Sequence, residues 1–255
     1  MCFDIDAHPP IPAITGGALD GALDTLTAGD GNRLSVYRAK AAEPSGAGMI
    51  ILPDVRGLFP YYEELALRFA EHGVDAIAVD YFGRSAGVGE RDGEFDCMPH
   101  VAQTTWAGLS ADIRAAATAL RAEPERVRSV FTVGFCFGGR MSFLASTLGL
   151  GLAGVVGFYG WPIGTSRNDS PAPAEVADRL ECPVLGLFGG ADQGIPREAV
   201  EAFERALRAA GVEHRILTYE GAPHSFFDRK HEEFAETSAA AWDETVRFVR
   251  AHTAT

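Results

Sequence analysis

Val130-Phe131-Thr132-Val133, Gly134-Phe135-Cys136-Phe137-Gly138-Gly139 and Arg140-Met141-Ser142-Phe143-Leu144-Ala145 follow one another without a break. The first segment is an apolar run of strand length, and the third reads as a helix packed on that strand. Between them, G-x-C-x-G-G has the form of a nucleophile elbow, a sharp strand-to-helix turn that exposes one reactive side chain. Such a turn is strained and brings strand and helix too close for side chains, which is the work of its glycines. Cys136 then stands at a helix N-terminus, where the dipole and unpaired N–H groups favour a thiolate. The N–H of Phe137 faces the oxygen of an attacked carbonyl. On this stretch alone, a Cys136 buried as a small hydrophobe is an equal alternative.

Working outward, Leu23–Ala28 and Arg33–Ala39 read as a hairpin around Asp30-Gly31-Asn32. Met49–Leu52, Val74–Val79, Ala153–Tyr159, Pro183–Phe188 and His214–Tyr219 are short strands. Helices are expected over Tyr61–His72, Gln103–Glu123, Arg197–Ala210 and about Glu232–His252. Apolar strands alternating with helices predict an α/β fold, a mostly parallel central sheet covered on both faces, with the hairpin as an antiparallel edge. Residues 1–22, rich in Pro, Gly and Ala, read as an N-terminal arm, and residues 23–255 as one domain.

The chain has 255 residues, 47% hydrophobic and 22% charged, with a formal charge of −13. That balance suits a globular protein and argues against a nucleic-acid or acidic-membrane partner. No window reaches the ~18 consecutive apolar residues of a membrane span. The first residues carry acids instead of a basic, then apolar, secretory pattern. Cys2, Cys97, Cys136 and Cys182 form no C-x-x-C pair, so a reducing, cytoplasmic location is expected. His72, His100, His231 and His252 show no metal-ligand spacing, and neither metal nor other cofactor is expected.

Ligands of such sheets bind beyond the carboxyl ends of the strands. Asp192 follows the strand Pro183–Phe188, in Gly189-Gly190-Ala191-Asp192, and His224 follows His214–Tyr219, in Gly221-Ala222-Pro223-His224-Ser225-Phe226. The order Cys136, Asp192, His224 is that of α/β-hydrolases. A histidine can take the thiol proton and return it to a leaving group, while a carboxylate fixes its tautomer. Singly, Asp192 could cap the helix after Pro196, and His224 could be a turn residue. Pro53-Asp54-Val55-Arg56-Gly57 follows the strand Met49–Leu52, where these folds place a second oxyanion donor, here the N–H of Val55. Asp80-Tyr81-Phe82-Gly83-Arg84 sets a cation past the next strand, either near the mouth of the site or as a solvated loop arginine. Residues 161–174, beginning at Trp161, are expected to form a mobile wall of the pocket, with Trp161 and Phe226 among its substrate contacts.

On the Cys136 elbow, the G-x-D around Asp192, the G-x-x-H-S-F around His224 and the D-Y-F-G-R loop at Arg84, the chain resembles the dienelactone hydrolase (carboxymethylenebutenolidase) family of α/β-hydrolases. The resemblance covers nearly the whole chain and implies cofactor-free hydrolysis of a lactone or activated ester through a cysteinyl thioester. It also implies that an acid beside the nucleophile, matched by Asp54, contacts the resting thiol, and that Arg84 binds a substrate carboxylate. Asp54 is one methylene shorter than the usual glutamate. The second carboxylate-binding arginine is expected near position 228, which is Asp228, with Arg229 next. Arg56 stands where members often carry an apolar or aromatic residue.

The expected partner is a small ester or lactone, with an anionic one left open and Arg56 or Arg229 assisting Arg84. The protein is expected as a monomer or small homo-oligomer. Acyl transfer, thioester cleavage or tailoring of a polyketide lactone would use the same three residues. A catalytically idle binding relative is the alternative of a different class.

Overall fold

The structure, a computed structural model, describes residues 7–91, 93–227 and 233–254. In chain order the strands and helices are β1 (Ala18–Thr27), β2 (Arg33–Ala41), β3 (Gly46–Leu52), α1 (Pro60–Glu71), β4 (Val74–Val79), α2 (Gly83–Ala86), α3 (Cys97–Val101), α4 (Trp106–Arg121), β5 (Val127–Phe135), α5 (Phe137–Ala145), β6 (Gly154–Phe158), β7 (Val184–Gly189), α6 (Arg197–Ala209), β8 (His214–Tyr219) and α7 (Ala235–His252). A 3-10 segment, Pro173–Arg179, lies between β6 and β7. The eight strands form one sheet in the order β1-β2-β4-β3-β5-β6-β7-β8. The first two pairings, β1 with β2 and β2 with β4, are antiparallel and the rest parallel.

Burial explains the composition of the central strands. Every residue of β3, β4, β6 and β7 is buried, so these strands read as unbroken apolar runs with no alternation. Gly154 and Gly157 lie an odd number of residues apart on β6 and therefore face opposite sides of the sheet. A Cβ at Gly154 would meet Phe248 of α7, and one at Gly157 would meet Phe143 of α5. Phe69 of α1 packs on Trp242 of α7 at 4.8 Å, and Phe143 packs on Phe203 of α6 at 4.9 Å. Helices α1 and α7 thus cover one face, and α5 and α6 the other. The predicted α/β-hydrolase architecture is the observed one.

Several boundaries differ from the sequence reading, β3 beginning at Gly46 and β5 at Val127, and two of the differences have a clear local reason. β1 starts at Ala18, inside the expected arm, because its register with β2 continues through Ala18, Asp20 and Gly21, residues with little strand preference of their own. The long helix starts at Trp106, not Gln103. Thr105 is extended there and its side chain accepts from the N–H of Gly108, a standard N-cap. The last helix begins at Ala235.

Candidate active site

The carboxyl ends of β5, β6, β7 and β8 deliver the site. β5 ends at Phe135, and Cys136 turns the chain with φ 54 and ψ −111 before α5 begins at Phe137. The N–H of Cys136 donates to the carbonyl of Phe158 at 3.0 Å. No L-residue chooses this backbone freely, and holding it costs on the order of 1–3 kcal/mol. The neighbours leave no other route. A Cβ at Gly134 would sit 1.9 Å from the carbonyl oxygen of Gly138, and one at Gly138 would sit 2.0 Å from that of Leu52. Among the described residues the other non-glycine positions with positive φ are Tyr159 (38°) and Ser225 (61°), one on the end of β6 and one beside His224. Among the described residues, positive φ at non-glycine positions is therefore confined to Cys136, the residue just past β6 and the neighbour of His224.

His224 Nδ1 bonds Asp192 Oδ2 at 2.7 Å. The other carboxylate oxygen of Asp192 accepts from the N–H groups of Gly194 (2.8 Å) and Ile195 (3.1 Å), which fixes the carboxylate plane. The Asp192 side chain is 1% exposed and that of His224 34%, so the carboxylate lies behind an imidazole that reaches solvent. A carboxylate only accepts, so the proton is assigned to Nδ1 and Nε2 is left as the basic nitrogen. The Tyr159 ring packs 4.9 Å from the imidazole and holds its plane.

Cys136, His224, Val55 and Phe137 line one cavity of about 480 Å³. Phe137 is the first residue of α5, so its N–H has no acceptor within the helix. Trp161, Thr165, Ser166 and Arg167 contribute the segment after β6 to the same cavity, and Gly194 and Ile195 the segment after β7. Among the described residues no group of three or more His, Cys, Asp or Glu could hold a metal ion, and no helix is long and apolar enough to cross a membrane.

Several expected contacts lie elsewhere. Arg84 is not at the mouth of this cavity. Its guanidinium bonds Asp112 at 2.5 Å and Asp30 at 2.6 Å, tying the β1–β2 turn to α4. The two carboxyls respond oppositely: the bond to Arg84 holds exposed Asp30 below its ordinary pKa, whereas burial pushes Asp112 up despite the same partner. Asp54 is fully buried, and its carboxylate accepts from the Arg56 N–H (2.8 Å) and guanidinium (3.3 Å). Among the described residues no hydrogen bond joins Asp54 to Cys136. Arg56 lies over the Phe59 ring at 4.8 Å and does not line the cavity. Phe226 is fully buried against Tyr159 and Phe158, a support for the site and not a contact surface. Arg229 and Asp228 lie outside the described residues.

The sequence marks Arg140 only as part of a helix. It is 2% exposed and borders the cavity, with its guanidinium bonded to the carbonyl oxygens of Trp161, Ile163, Gly164, Ser170 and Pro171 and to Ser170 Oγ. Burial pulls its pKa down to about 10, against the pull of Glu175, and leaves it charged at neutral pH. The usable signal was a lone charge in a helix whose other residues, Phe137 to Ala145, are all buried. Arg167, Thr165 and Ser166 carried no such signal.

A sequence profile of the Dienelactone hydrolase family matches residues 34–253. A Salmonella typhimurium protein provisionally named carboxymethylenebutenolidase is 30% identical over 227 residues, covering 86% of this chain and 80% of that protein. The carboxymethylenebutenolidase of Rhodococcus opacus is 28% identical over 253 residues, covering 97% and 96%. Among solved structures, a Klebsiella pneumoniae protein provisionally described as a dienelactone hydrolase superposes with a TM-score of 0.77 at 26% identity, covering 90% of this chain and 98% of its own.

Proposed function

Because the chain belongs to the dienelactone hydrolase family and is a hydrolase of lactones and esters, we propose that it works through a covalent thioester on Cys136. The observation that supports this reading is the 2.7 Å bond from His224 Nδ1 to a buried carboxylate, with Cys136 and His224 lining the same cavity. Nε2 of His224 takes the thiol proton, and Sγ attacks the carbonyl carbon. The oxyanion that forms meets the N–H groups of Phe137 and Val55, and the positive end of α5 favours it. As the C–O bond breaks, the imidazolium returns its proton to the leaving oxygen, which in a lactone stays attached to the acyl chain. Water, deprotonated by His224, then cleaves the thioester and restores the thiol. Asp192 keeps its charge throughout and steadies the imidazolium.

The substrate we assign is an anionic ester or lactone. Arg167 is exposed, lines the cavity and has no ion pair among the described residues. A guanidinium in that state can take a carboxylate with two hydrogen bonds. Cys97, Cys136 and Cys182 are free thiols, which suits a reducing cytoplasm.

Cys136→Ala tests the mechanism. It should fold and lose on the order of 10³-fold or more in kcat, because nucleophile, base and orienting acid act as a unit. More than a tenth of wild-type activity in that variant would overturn the thioester. Cys136→Ser should also be poor, since a site built for a thiol need not deprotonate an alcohol of far higher pKa.

A further inference from the structure

The segment after β6 contains no strand or helix until the 3-10 turn at Pro173. Its backbone is held by a side chain from another element. Arg140 sits on α5 one turn past Cys136, and its Nη1 donates to the carbonyls of Trp161 (3.2 Å) and Ile163 (3.3 Å). Nη2 donates to those of Gly164 (2.9 Å), Ser170 (3.1 Å) and Pro171 (2.9 Å), and Nε donates to Ser170 Oγ at 3.3 Å. The acceptors fall into two groups, 161–164 and 170–171, which are the two legs of one loop. A single planar fork draws the legs together and leaves residues 165–169 as the tip. Trp161, Thr165, Ser166 and Arg167 of this same loop line the cavity.

We propose that Arg140 is a positioning residue: it clasps the legs of the 161–171 loop to the helix of the nucleophile and so presents that loop as the fixed, substrate-selecting wall of the cavity. The arrangement is specific to a guanidinium. Five N–H groups in one plane serve acceptors on both legs, whereas a lysine ammonium has three donors on a flexible stem and cannot span them. Among the described residues no carboxylate bonds Arg140, so the fork is committed to backbone oxygens and the Ser170 hydroxyl, and charge-assisted bonds of this kind are the strong ones. Releasing the legs frees the tip and with it the residues that face the substrate, while the elbow, Asp192 and His224 keep their own supports. The cost therefore falls on binding and not on the chemical step. The inference extends the hydrolase reading by naming what shapes its substrate wall.

The test is Arg140→Lys, which keeps the charge and removes the fork. KM for a small ester should rise roughly 10-fold or more, with kcat within about 3-fold of wild type. Hydrogen exchange at the amides of residues 163–169 should accelerate, and alkylation of Cys136 by the small neutral reagent iodoacetamide should keep its wild-type rate. Wild-type KM and wild-type exchange in the lysine variant would overturn the proposal, as would a fall in kcat and alkylation at constant KM. Should Arg140→Lys fail to fold, Ser170→Ala removes the one side-chain acceptor and leaves the arginine in place. It should raise KM about 2- to 3-fold and speed exchange over the same amides, a change of about 0.5 kcal/mol at 1.4 kcal/mol per decade. No change in either quantity would count against the clasp. Exchange is independent of Cys136, so this experiment can succeed even if the thioester reading fails.

Discussion

Past β4, Arg84 meets Asp30 and Asp112, and Arg91 meets Asp80; around the segment past β6, Arg140 meets only carbonyl and hydroxyl oxygens, and Arg167 has no ion pair among the described residues. Both regions stand at the carboxyl end of the same sheet, in a chain with a net charge of −13. In the first, positive charge is spent on the protein's own acids and builds stability. In the second, the Arg140 guanidinium is committed to carbonyl and hydroxyl oxygens, and the exposed Arg167 on the cavity wall is left to meet an anion. Placement after a strand says where a ligand binds. The residues that have already claimed the cation decide whether it can bind one.

The largest test of the contrast is Arg91→Met. Asp80 is fully buried, and Arg91 Nη2 is its ion partner at 2.8 Å, so removing the arginine strands a buried carboxylate. A loss of about 3–5 kcal/mol in denaturant unfolding is expected. Next comes Arg167→Gln, assayed on a carboxylated lactone and its methyl ester. Catalytic efficiency on the acid should fall roughly 10- to 150-fold, and on the neutral ester hardly at all, if a charged contact contributes about 1.5–3 kcal/mol. Equal losses on both substrates would remove Arg167 from recognition. Arg84→Met should do the reverse. With Asp112 buried and short of a partner, it should cost about 1–3 kcal/mol of stability and leave the ratio of the two substrates unchanged. A changed ratio would return Arg84 to the site. The smallest effect is expected at Arg197→Ala, whose partner Glu220 is more exposed still; thermal unfolding should not shift measurably, because solvent screens such a pair.

The fold was legible because its signals are local. β4 begins and ends where the sequence reading places it, a short strand buried along its whole length and stopped by Gly73 before it and Asp80 after it. The elbow was legible for a related reason: glycines crowded by backbone oxygens leave a spacing that few other turns need. The surroundings of Arg84 and Arg140 were not legible because their partners are remote. Asp30 and Asp112 lie 54 and 28 residues from Arg84, and only the packed sheet brings them to it. The acceptors of Arg140 are backbone carbonyls, which every residue has, so no residue type marks them. Phe226 looked like a site residue by its place beside His224. The positive φ of Ser225 redirects the chain there, and the ring is turned into the core.

The left-handed backbone at Cys136 has a consequence for how this sequence can drift. At φ 54 the residue that fits best is glycine, and every side chain there is tolerated under constraint. A Cys136→Gly chain, judged only by its melting curve, should therefore outlast Cys136→Ala by about 1 kcal/mol. The reactive position is one where selection for durability and selection for turnover pull toward different amino acids. Were turnover no longer needed, the thiol would be among the first things the chain could discard with a gain in stability.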